Sequence, residues 1–321
     1  MRILIFLAFV VGIALSLDDD SMCSRGKLER PWVAKSSAST RLVQNTNCSR
    51  PLVEGERMDC SRGVGGNVPI ITYAMLYYKD STFLEEQEKN WCSWPLATRQ
   101  KFQFLIVDDG SPAGESAIQK YVHNGCINLL IYTIEKDLKW NIGGARNLAF
   151  HVAPTDYVFL LDSDILVPPT IALACLKMVQ NEYSSASKQM SNNTRTSESV
   201  FYNFNRNSKG VRLHPHPAAM MLTKKAYWMC GGCDEDFVGN YGQTDPHFKW
   251  RAGLTKGIKM RKVNEMYDDE LVMMGDGLMP DRPTHLNRQM FKAKMFGNMT
   301  WSNDYIRFPW RFNAQFCIKE Q

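Results

Sequence analysis

The chain has 321 residues, of which 44% are hydrophobic and 22% charged, a composition typical of a globular protein with a full core. Its 38 basic and 33 acidic residues give a net charge of +5. No dense stripe of lysine and arginine accompanies this charge, so nucleic acid is excluded as the expected partner.

The first 17 residues predict entry into the secretory pathway. Arg2 precedes an apolar run over residues 3–17, and three aspartates follow it. The run is short for a membrane span, which needs about 20 apolar residues. Ala14 and Ser16 form a small-x-small cleavage pattern, so residues 1–17 are predicted to be a signal peptide. A short uncleaved signal anchor is the alternative, and it would be the protein's only membrane contact.

Sequons and cysteines agree with that leader. Asn47, Asn192 and Asn298 each begin an Asn-x-Ser/Thr sequon, and nine cysteines follow the apolar run. In an oxidising compartment several of these cysteines should be paired, with one left over. We therefore expect a protein of the Golgi or ER lumen, or a secreted one.

The order of predicted elements indicates one α/β domain. Residues 18–67 lack sustained periodicity and are predicted to be an irregular stem, followed by a folded domain over 68–290 and a C-terminal tail over 291–321. Apolar runs predict strands at Val68–Tyr77, Phe102–Val107, Ile127–Ile134 and from Tyr157 to the acids that follow it. Helices are predicted at Phe83–Trp94, Ala113–His123, Gly143–Val152 and Thr170–Tyr183, with a polar loop over Ser184–Ser199. Such alternation favours a largely parallel sheet. The pattern restarts at Ala218–Leu222 and becomes loop-rich and aromatic, as in a substrate-side subdomain or lid.

Two acids, Asp108 and Asp109, end the second predicted strand, and Gly110 and Ser111 follow them. Acids at a strand end can accept hydrogen bonds from a nucleobase or from ribose hydroxyls, and the glycine permits a sharp turn. The alternative is a capped turn before a helix.

Two glycines open the helix that carries Arg146. Gly143 and Gly144 would free its N-terminal amides for an anionic ligand. A cation in the first turns opposes the helix dipole, so Arg146 indicates a ligand contact, with a buried structural salt bridge as the alternative.

The acids of Asp162-Ser163-Asp164 follow the strand that begins at Tyr157. Side chains at i and i+2 of a strand share a face, so both acids are predicted to point the same way. Two such carboxylates suit a divalent cation that also touches substrate phosphates. An Asp-rich turn without a ligand is the alternative.

The segment from Cys230 to Asp245 is rich in acids and glycines, which favours a ligand-binding loop. Its Cys230-x-x-Cys233 pair is predicted to form a local disulfide or to enter two separate bridges. A redox pair, or a zinc site completed by His214 and His216, is the alternative. His285 is a lone histidine that could complete a metal site begun by Asp164.

Taken in order, these four segments resemble the GT-A nucleotide-sugar glycosyltransferases, particularly the family 2-like inverting group. The last segment also looks like the C-terminal module of galactosyltransferases and chondroitin-polymerase-like enzymes. The resemblance covers roughly residues 68–288. It implies a Rossmann-like α/β fold with a mixed, mostly parallel sheet. It also implies a Mn²⁺- or Mg²⁺-dependent, inverting transfer of a sugar from a nucleotide sugar, UDP-linked, to a glycan or glycoconjugate hydroxyl.

The resemblance also implies roles for individual residues. Those assigned to the donor nucleotide and sugar are Tyr73, Asp108, Asp109, Arg146 and Asp162. Asp164 is assigned to the metal, with His285 as a further ligand. Asp245 is assigned as the general base, and Asp234 and Glu235 to the acceptor side.

The chain departs from the pattern in two places. No Gln-x-x-Arg-Trp follows the acidic segment, so a non-processive enzyme is expected. Thr244 stands where a second acid often precedes the base. A nucleotidyltransferase on the same scaffold and an inactive nucleotide-sugar-binding protein are the alternative functions.

Overall fold

A computed structural model describes residues 68–190, 199–215, 217–263, 270–275, 284–302 and 304–318. The predicted leader (1–17) and stem (18–67), with Asn47, Asn192 and His216, lie outside the described residues. None of the helices within these ranges is both long and apolar enough to span a membrane.

Strands and helices alternate through the first half of the described chain. The strands are β1 Ile71–Tyr77, β2 Phe102–Asp108, β3 Leu129–Ile134, β4 Tyr157–Asp162, β5 Ile165–Leu166, β6 Ser199–Asn203, β7 Arg206–Ser208, β8 Val211–Leu213, β9 Met220–Thr223, β10 Ile258–Lys262, β11 Leu271–Met273 and β12 Trp310–Phe316. The helices are α1 Ser81–Ser93, α2 Leu96–Arg99, α3 Ala117–Lys120, α4 Ile142–Val152, α5 Pro169–Met190, α6 Lys224–Met229, α7 Thr244–Leu254 and α8 His285–Met295, with a 3₁₀ turn at Glu235–Phe237.

An eight-stranded sheet in the order β10-β6-β9-β4-β1-β2-β3-β12 forms the centre of the fold. The pairs β10/β6, β4/β1, β1/β2 and β2/β3 are parallel, whereas β6/β9, β9/β4 and β3/β12 are antiparallel. A smaller sheet has the order β5-β11-β7-β8. The predicted class, an α/β fold with a mixed, mostly parallel sheet flanked by helices, is confirmed.

The central strands are buried on both faces, which explains their continuous apolar runs. Every residue of β1 and of β2 is buried. One core, on the α1 side of the sheet, contains Trp91, Phe104 and Phe159. The other, on the α4 side, contains Leu105 and Phe150. Helices on both faces of a parallel sheet produce this pattern.

Two predicted helices have different lengths in the structure. In the region predicted as Ala113–His123, Ala117–Lys120 is helical and turns precede it, because Gly114 adopts φ +89°. Helix α5 continues to Met190, so the predicted loop at Ser184–Ser199 begins later than expected.

The predicted C-terminal tail is part of the domain. Helix α8 crosses the boundary predicted at residue 290, and β12 pairs antiparallel with β3 at the edge of the main sheet. The predicted division at 290/291 is therefore wrong, because the last described strand completes the sheet.

The cysteine pairing corrects one prediction. Cys92 and Cys126 form a disulfide, and Cys317 is also disulfide-bonded. Cys230 and Cys233, predicted to be bridged, are free thiols buried in the core, and burial raises the pKa of each.

Candidate active site

Acidic residues gather at the carboxyl edge of the parallel strands. In the pairing of β1 with its neighbours, Tyr77 lies opposite Asp108 and Leu76 lies opposite Asp162. The ends of β2 and β4 therefore flank the end of β1. Ligands of open α/β sheets bind at this edge.

Arg146 joins two carboxylates that lie far apart in the sequence, Asp162 and Asp245. Its guanidinium is fully buried and lies 3.1 Å from Asp162 Oδ1, and it also pairs with Asp245. The side chains of Asp162 and Asp245 are 32% and 20% exposed, so both remain accessible to a ligand. Since Asp162 ends β4 and Asp245 lies in the first turn of α7, one cation fixes the relative position of the two elements.

Asp164 lies beside Asp162, although the strand geometry does not extend to it. Strand β4 ends at Asp162, and Ser163 and Asp164 form a turn. Burial raises the pKa of Asp164 to about 6, and the neighbouring charge of Asp162 adds to the rise. A cation between the two carboxylates would relieve both effects.

The donor atoms at this turn fit a metal that is shared with a substrate. Among the described residues, no group of three His, Cys, Asp or Glu side chains is placed to hold a metal ion. Mg²⁺, however, is commonly bound by one or two carboxylates together with substrate phosphates and water. Asp162 and Asp164 therefore fit a divalent cation that binds with its substrate.

Asp109 is linked to the start of α4. Its Oδ1 accepts a 2.9 Å hydrogen bond from Asn141 Nδ2. Burial raises the pKa of Asp109 to about 8, although this hydrogen bond opposes the rise. At neutral pH the carboxyl is therefore largely protonated and can donate as well as accept.

The chain enters both helices of the site through strained residues. Trp140, just before α4, has φ 54°, and Gln243, just before α7, has φ 69°. Left-handed backbone is uncommon for residues other than glycine and clusters at functional sites. The two segments that precede these helices are in contact, because the ring centres of Trp140 and Tyr241 lie 5.0 Å apart.

Asp234 and Glu235 belong to a buried polar network behind α4. Asp234 pairs with Lys294 at 2.9 Å, and both side chains are fully buried. Glu235 accepts hydrogen bonds from Asn147 and from the backbone amides of residues 306 and 307. These carboxylates link the 3₁₀ turn to α4, to Lys294 and to residues 306 and 307.

A cavity of about 350 Å³ lies between this network and the start of α4. Its walls combine apolar side chains with an amide, two carboxylates and a guanidinium. The residues that line it are Leu138, Asn141, Glu235, Asp236, Val238, Arg307 and Phe308. The volume lies near the lower end of the roughly 300–1,000 Å³ that is usual for small-molecule sites.

Known proteins resemble this chain over the strands that carry the site. Residues 82–226 match the model of glycosyl transferase family 2. The matched residues make up less than half of the chain. The match confirms the predicted resemblance to the GT-A, family 2-like enzymes, and it supports a glycosyltransferase as the enzyme class. A comparison with curated proteins found no match.

Several solved structures are similar to the chain. TarS 1–349 of S. aureus is 14% identical, with 64% of this chain and 60% of that chain covered and a TM-score of 0.47. The mannosyltransferase PcManGT from Pyrobaculum calidifontis, in complex with GDP-Man and Mn²⁺, is 14% identical over 86% of this chain and 73% of that chain, with a TM-score of 0.45. A Drosophila β1,4-galactosyltransferase 7 mutant, in complex with manganese, UDP-Gal and xylobiose, is 10% identical over 70% and 79%, with a TM-score of 0.43. Since 60% of the TarS fragment is covered, this chain spans less than two thirds of that fragment.

The family 2 segment contains Asp109, Arg146, Asp162 and Asp164, whereas Asp245 lies beyond it. The structure brings Asp245 to the first group through Arg146. Arg146 and Asp162, predicted to contact the donor, therefore meet Asp245, predicted to be the base, at one edge of the sheet.

Two residues assigned to the donor have side chains that are engaged with other partners. The side chain of Tyr73 is fully buried in the core and faces α1, not the strand ends. Its hydroxyl donates a hydrogen bond to Gln87 of that helix. Asp108 accepts hydrogen bonds from the amides of Ser111 and Ala117, so its carboxylate caps the turn as in the alternative interpretation.

The structure also describes the glycines at the predicted helix start and the predicted further metal ligand. Gly143 and Gly144 are buried and closely packed. A Cβ added at Gly143 would lie 3.0 Å from Thr244, and one added at Gly144 would collide with Phe308. These glycines allow close packing at the start of α4. His285 is exposed at the first position of α8 and forms no three-residue ligand group with Asp164 in the described part of the chain.

Two cations near the site were not predicted from the sequence. Lys249 lies on α7 and Arg206 begins β7, and both side chains are half-buried. The signal available for Lys249 was its spacing of four residues from Asp245, which places both on one face of a helix. Arg206 had no such signal, because β7 belongs to the smaller sheet.

Proposed function

We propose that this chain transfers a sugar from a nucleotide sugar, with UDP as the expected nucleotide, to an acceptor hydroxyl, with inversion and without processive elongation. The observation that carries the proposal is the contact of Arg146 with both Asp162 and Asp245. It joins the acids at the donor edge of the sheet to a carboxylate suited to act on the acceptor.

Asp245 supplies the proton acceptor in this mechanism. Its carboxylate takes the proton of the acceptor hydroxyl while the hydroxyl oxygen bonds to the anomeric carbon and the bond from that carbon to the diphosphate breaks. Attack from the face opposite the diphosphate inverts the anomeric centre. The partial exposure of Asp245 supports this role, because an incoming hydroxyl can reach it.

Asp164 and Asp162 would hold Mn²⁺ or Mg²⁺ in the proposed enzyme. When bound, such an ion supplies Lewis-acid stabilisation of the departing diphosphate. The raised pKa of Asp164 supports the assignment, since the pair of carboxylates favours a positive partner. Asp109, protonated and held by Asn141, offers both a donor and an acceptor to a nucleobase or ribose.

The acceptor is proposed to occupy the cavity beside Asn141. Phe308 and Leu138 offer apolar wall to a sugar ring, and Asp236 and Arg307 offer polar groups to its hydroxyls. Asp234 and Glu235 act there indirectly, because their carboxylates are engaged with interior partners and hold the wall in position.

A lumenal compartment is part of the proposal. The Cys92–Cys126 disulfide supports it, because disulfides persist in oxidising compartments. Asn298, which begins a sequon, is exposed just after α8 and is accessible to modification.

The test is a donor screen. The full chain is incubated with Mn²⁺ or Mg²⁺ and a panel that includes UDP-GlcNAc, UDP-Gal and GDP-Man, and release of nucleoside diphosphate is measured. We expect release from one donor and a loss of at least about a hundredfold in Asp164→Ala, because transition-state charge stabilisation is worth several kcal/mol. Asp156→Ala is the matched control, since this exposed residue precedes the other end of β4.

The outcomes distinguish the alternatives. Tight nucleotide binding without turnover of any donor would refute the proposal in favour of an inactive binding protein. Release of pyrophosphate from a nucleoside triphosphate would refute it in favour of a nucleotidyltransferase. Equal activity of Asp164→Ala and Asp156→Ala would refute the metal assignment alone.

A further inference from the structure

Helix α8 ends in a glycine turn whose hydrogen bonds fix the residues that follow it. Gly297 has φ +77°, and its amide donates to Lys294 O at 3.3 Å. The next amide, that of Asn298, donates to Ala293 O at 2.8 Å. Helices commonly end in this way, with glycine in the left-handed position and two amides returned to the last turn. The backbone of Asn298 is therefore held in place by the helix end.

This turn carries an Asn-x-Thr sequon, with an aromatic residue two positions before the asparagine. Asn298 and Thr300 are both exposed. In helix ends of this type, the residue after the left-handed glycine frequently carries an apolar side chain that packs back onto the helix. Here that residue is Asn298, whose side chain is a carboxamide, while the apolar side chain of Phe296 lies in solvent.

Phe296 is the most exposed aromatic side chain in the part of the chain that the structure describes. Its exposed fraction is 69%, and Met299, on the other side of Asn298 in the sequence, is 41% exposed. Single exposed apolar residues are common on protein surfaces. Two of them that flank the asparagine of a sequon are a different observation, because a sugar attached to that asparagine would have both within reach.

We propose that Asn298 carries an N-linked glycan and that its first sugar, an N-acetylglucosamine, packs on the ring of Phe296. The inference rests on the lumenal compartment included in the proposed function, because sequons are glycosylated there. The flat face of the pyranose carries C–H groups with partial positive charge, and the face of an aromatic ring is negative. The contact also removes apolar surface of both groups from water.

The modification exchanges one bond of the donor sugar. Its co-reactant is an oligosaccharide joined through a diphosphate to a membrane lipid, which the secretory pathway supplies together with the transferase. Nδ2 of Asn298 bonds to the anomeric carbon of the first N-acetylglucosamine and loses one proton. The bond from that carbon to the diphosphate oxygen breaks, and the lipid diphosphate leaves with the electron pair. The asparagine side chain stays an amide, so no charge is added to the protein.

The sequon is tied to the buried polar network behind α4. Lys294 is fully buried, pairs with Asp234 at 2.9 Å and donates to Thr300 O at 2.8 Å. The turn is therefore fixed at both ends, by the helix at Asn298 and by this network at Thr300. A sugar that covers Phe296 should stabilise the helix end from which Lys294 projects, so we expect its effect in the melting temperature.

The experiment combines mass spectrometry with thermal unfolding. The full chain is expressed in cultured animal cells, and its N-glycans are released by an amidase in water labelled with heavy oxygen, which converts each glycosylated asparagine to a labelled aspartate. The melting temperature is measured for Phe296→Ala in two backgrounds, the intact sequon and Thr300→Ala, which removes the sequon and keeps Asn298. The control is Leu286→Ala, at an exposed apolar residue in the first turn of the same helix.

We expect the label at Asn298. Phe296→Ala should lower the melting temperature by about 2–4 °C when the sequon is intact, the shift expected for the loss of one sugar–aromatic contact in a domain of this size. In the Thr300→Ala background Phe296→Ala should change the melting temperature little, because the ring is exposed without the sugar. Leu286→Ala should have the same effect in both backgrounds.

Two results would overturn this inference alone. One is an unlabelled Asn298 in protein that carries a glycan at Asn47 or Asn192. The other is an equal shift for Phe296→Ala in both backgrounds, which would mean that the ring does not contact the sugar. Absence of the label from all three sequons would refute the inference and the proposed lumenal compartment together. The transferase activity is decided separately by the donor screen, because no residue of this turn is assigned to the reaction.

Discussion

Replacing Asp109 with asparagine should stabilise the protein at neutral pH and have little effect in acid. In the folded protein the pKa of Asp109 rises from an ordinary 3.8 to about 8, chiefly because burial removes the carboxyl from water. The charges of Asp108 and Asp137 add to the rise, and the hydrogen bond from Asn141 opposes it. The folded state therefore holds this proton more tightly than the unfolded chain does.

The size of the effect follows from that difference. The contribution of the protonated Asp109 carboxyl to the free energy of unfolding is fully present below about pH 4. This contribution falls as the pH rises and is lost above about pH 8. At roughly 1.4 kcal/mol for each pKa unit, the ionisable carboxyl costs up to about 4 kcal/mol at pH 7. An asparagine side chain at this position would remain neutral and could still accept from Asn141, so Asp109→Asn should recover up to that amount.

Urea denaturation at pH 4 and pH 7 is the assay, with the exposed Asp156→Asn as the control. We expect the two variants to differ little at pH 4, and the Asp109 variant alone to gain stability at pH 7. A gain of the same size at both pH values would refute the reasoning, because asparagine would then act through packing. A loss at pH 7 would refute it as well, since it would mean that the ionised carboxylate is favoured in the fold.

Two further predictions concern the links that hold the site together. Arg146→Met should lower the free energy of unfolding by about 3 kcal/mol, the lower end for a broken buried ion pair, because Asp162 and Asp245 remain partly solvated. A loss below about 1 kcal/mol by urea denaturation would contradict the buried pairing. Cys92→Ser combined with Cys126→Ser should cost about 3–4 kcal/mol, from the entropy of an open loop of 34 residues. Reaction of Cys92 with a thiol reagent in protein isolated from cells would contradict both the disulfide and the proposed lumenal compartment.

The parallel core could be predicted because its strands carry a local signal. Strands β1 to β4 are buried on both faces and read as short continuous apolar runs. Since ligands of open α/β sheets bind at the carboxyl ends of the strands, the acids that follow β2 and β4 were predicted to contact a ligand. That prediction needed the strand ends alone and no side-chain contacts.

The edge strand β12 had no comparable signal. It is half-exposed and pairs with β3, about 180 residues earlier, through a register that shifts between Phe312 and Ala314. A single sequence contains no measure of such long-range pairing. The same limit applies to Arg146. The sequence left open whether this residue contacts a ligand or forms a structural salt bridge, and the residue that bears on the choice, its partner in α7, is distant in sequence.

Burial on both faces also explains the misassigned Tyr73. In a strand with one solvated face, alternation would show which side chains reach a ligand. In β1 every residue is buried, so the pattern does not distinguish the side chains that face α1 from those that face α4. Likewise Asp108 and Asp109 are adjacent acids, and only the fold reveals that one caps a turn while the other reaches Asn141.

The ion pair between Arg146 and Asp245 constrains the proposed mechanism. A carboxylate held by a buried guanidinium is a weaker proton acceptor, because protonation would leave that cation uncompensated. Under the proposed function, a bound nucleotide sugar would compete with Asp245 for Arg146, and a divalent cation held by Asp162 and Asp164 would offset the charge of its diphosphate. Donor binding would then exchange the partners of Arg146 without a net change of charge at the site. Release from Arg146 would make the Asp245 carboxylate the stronger proton acceptor, so the proposed base would act only when an activated sugar is bound.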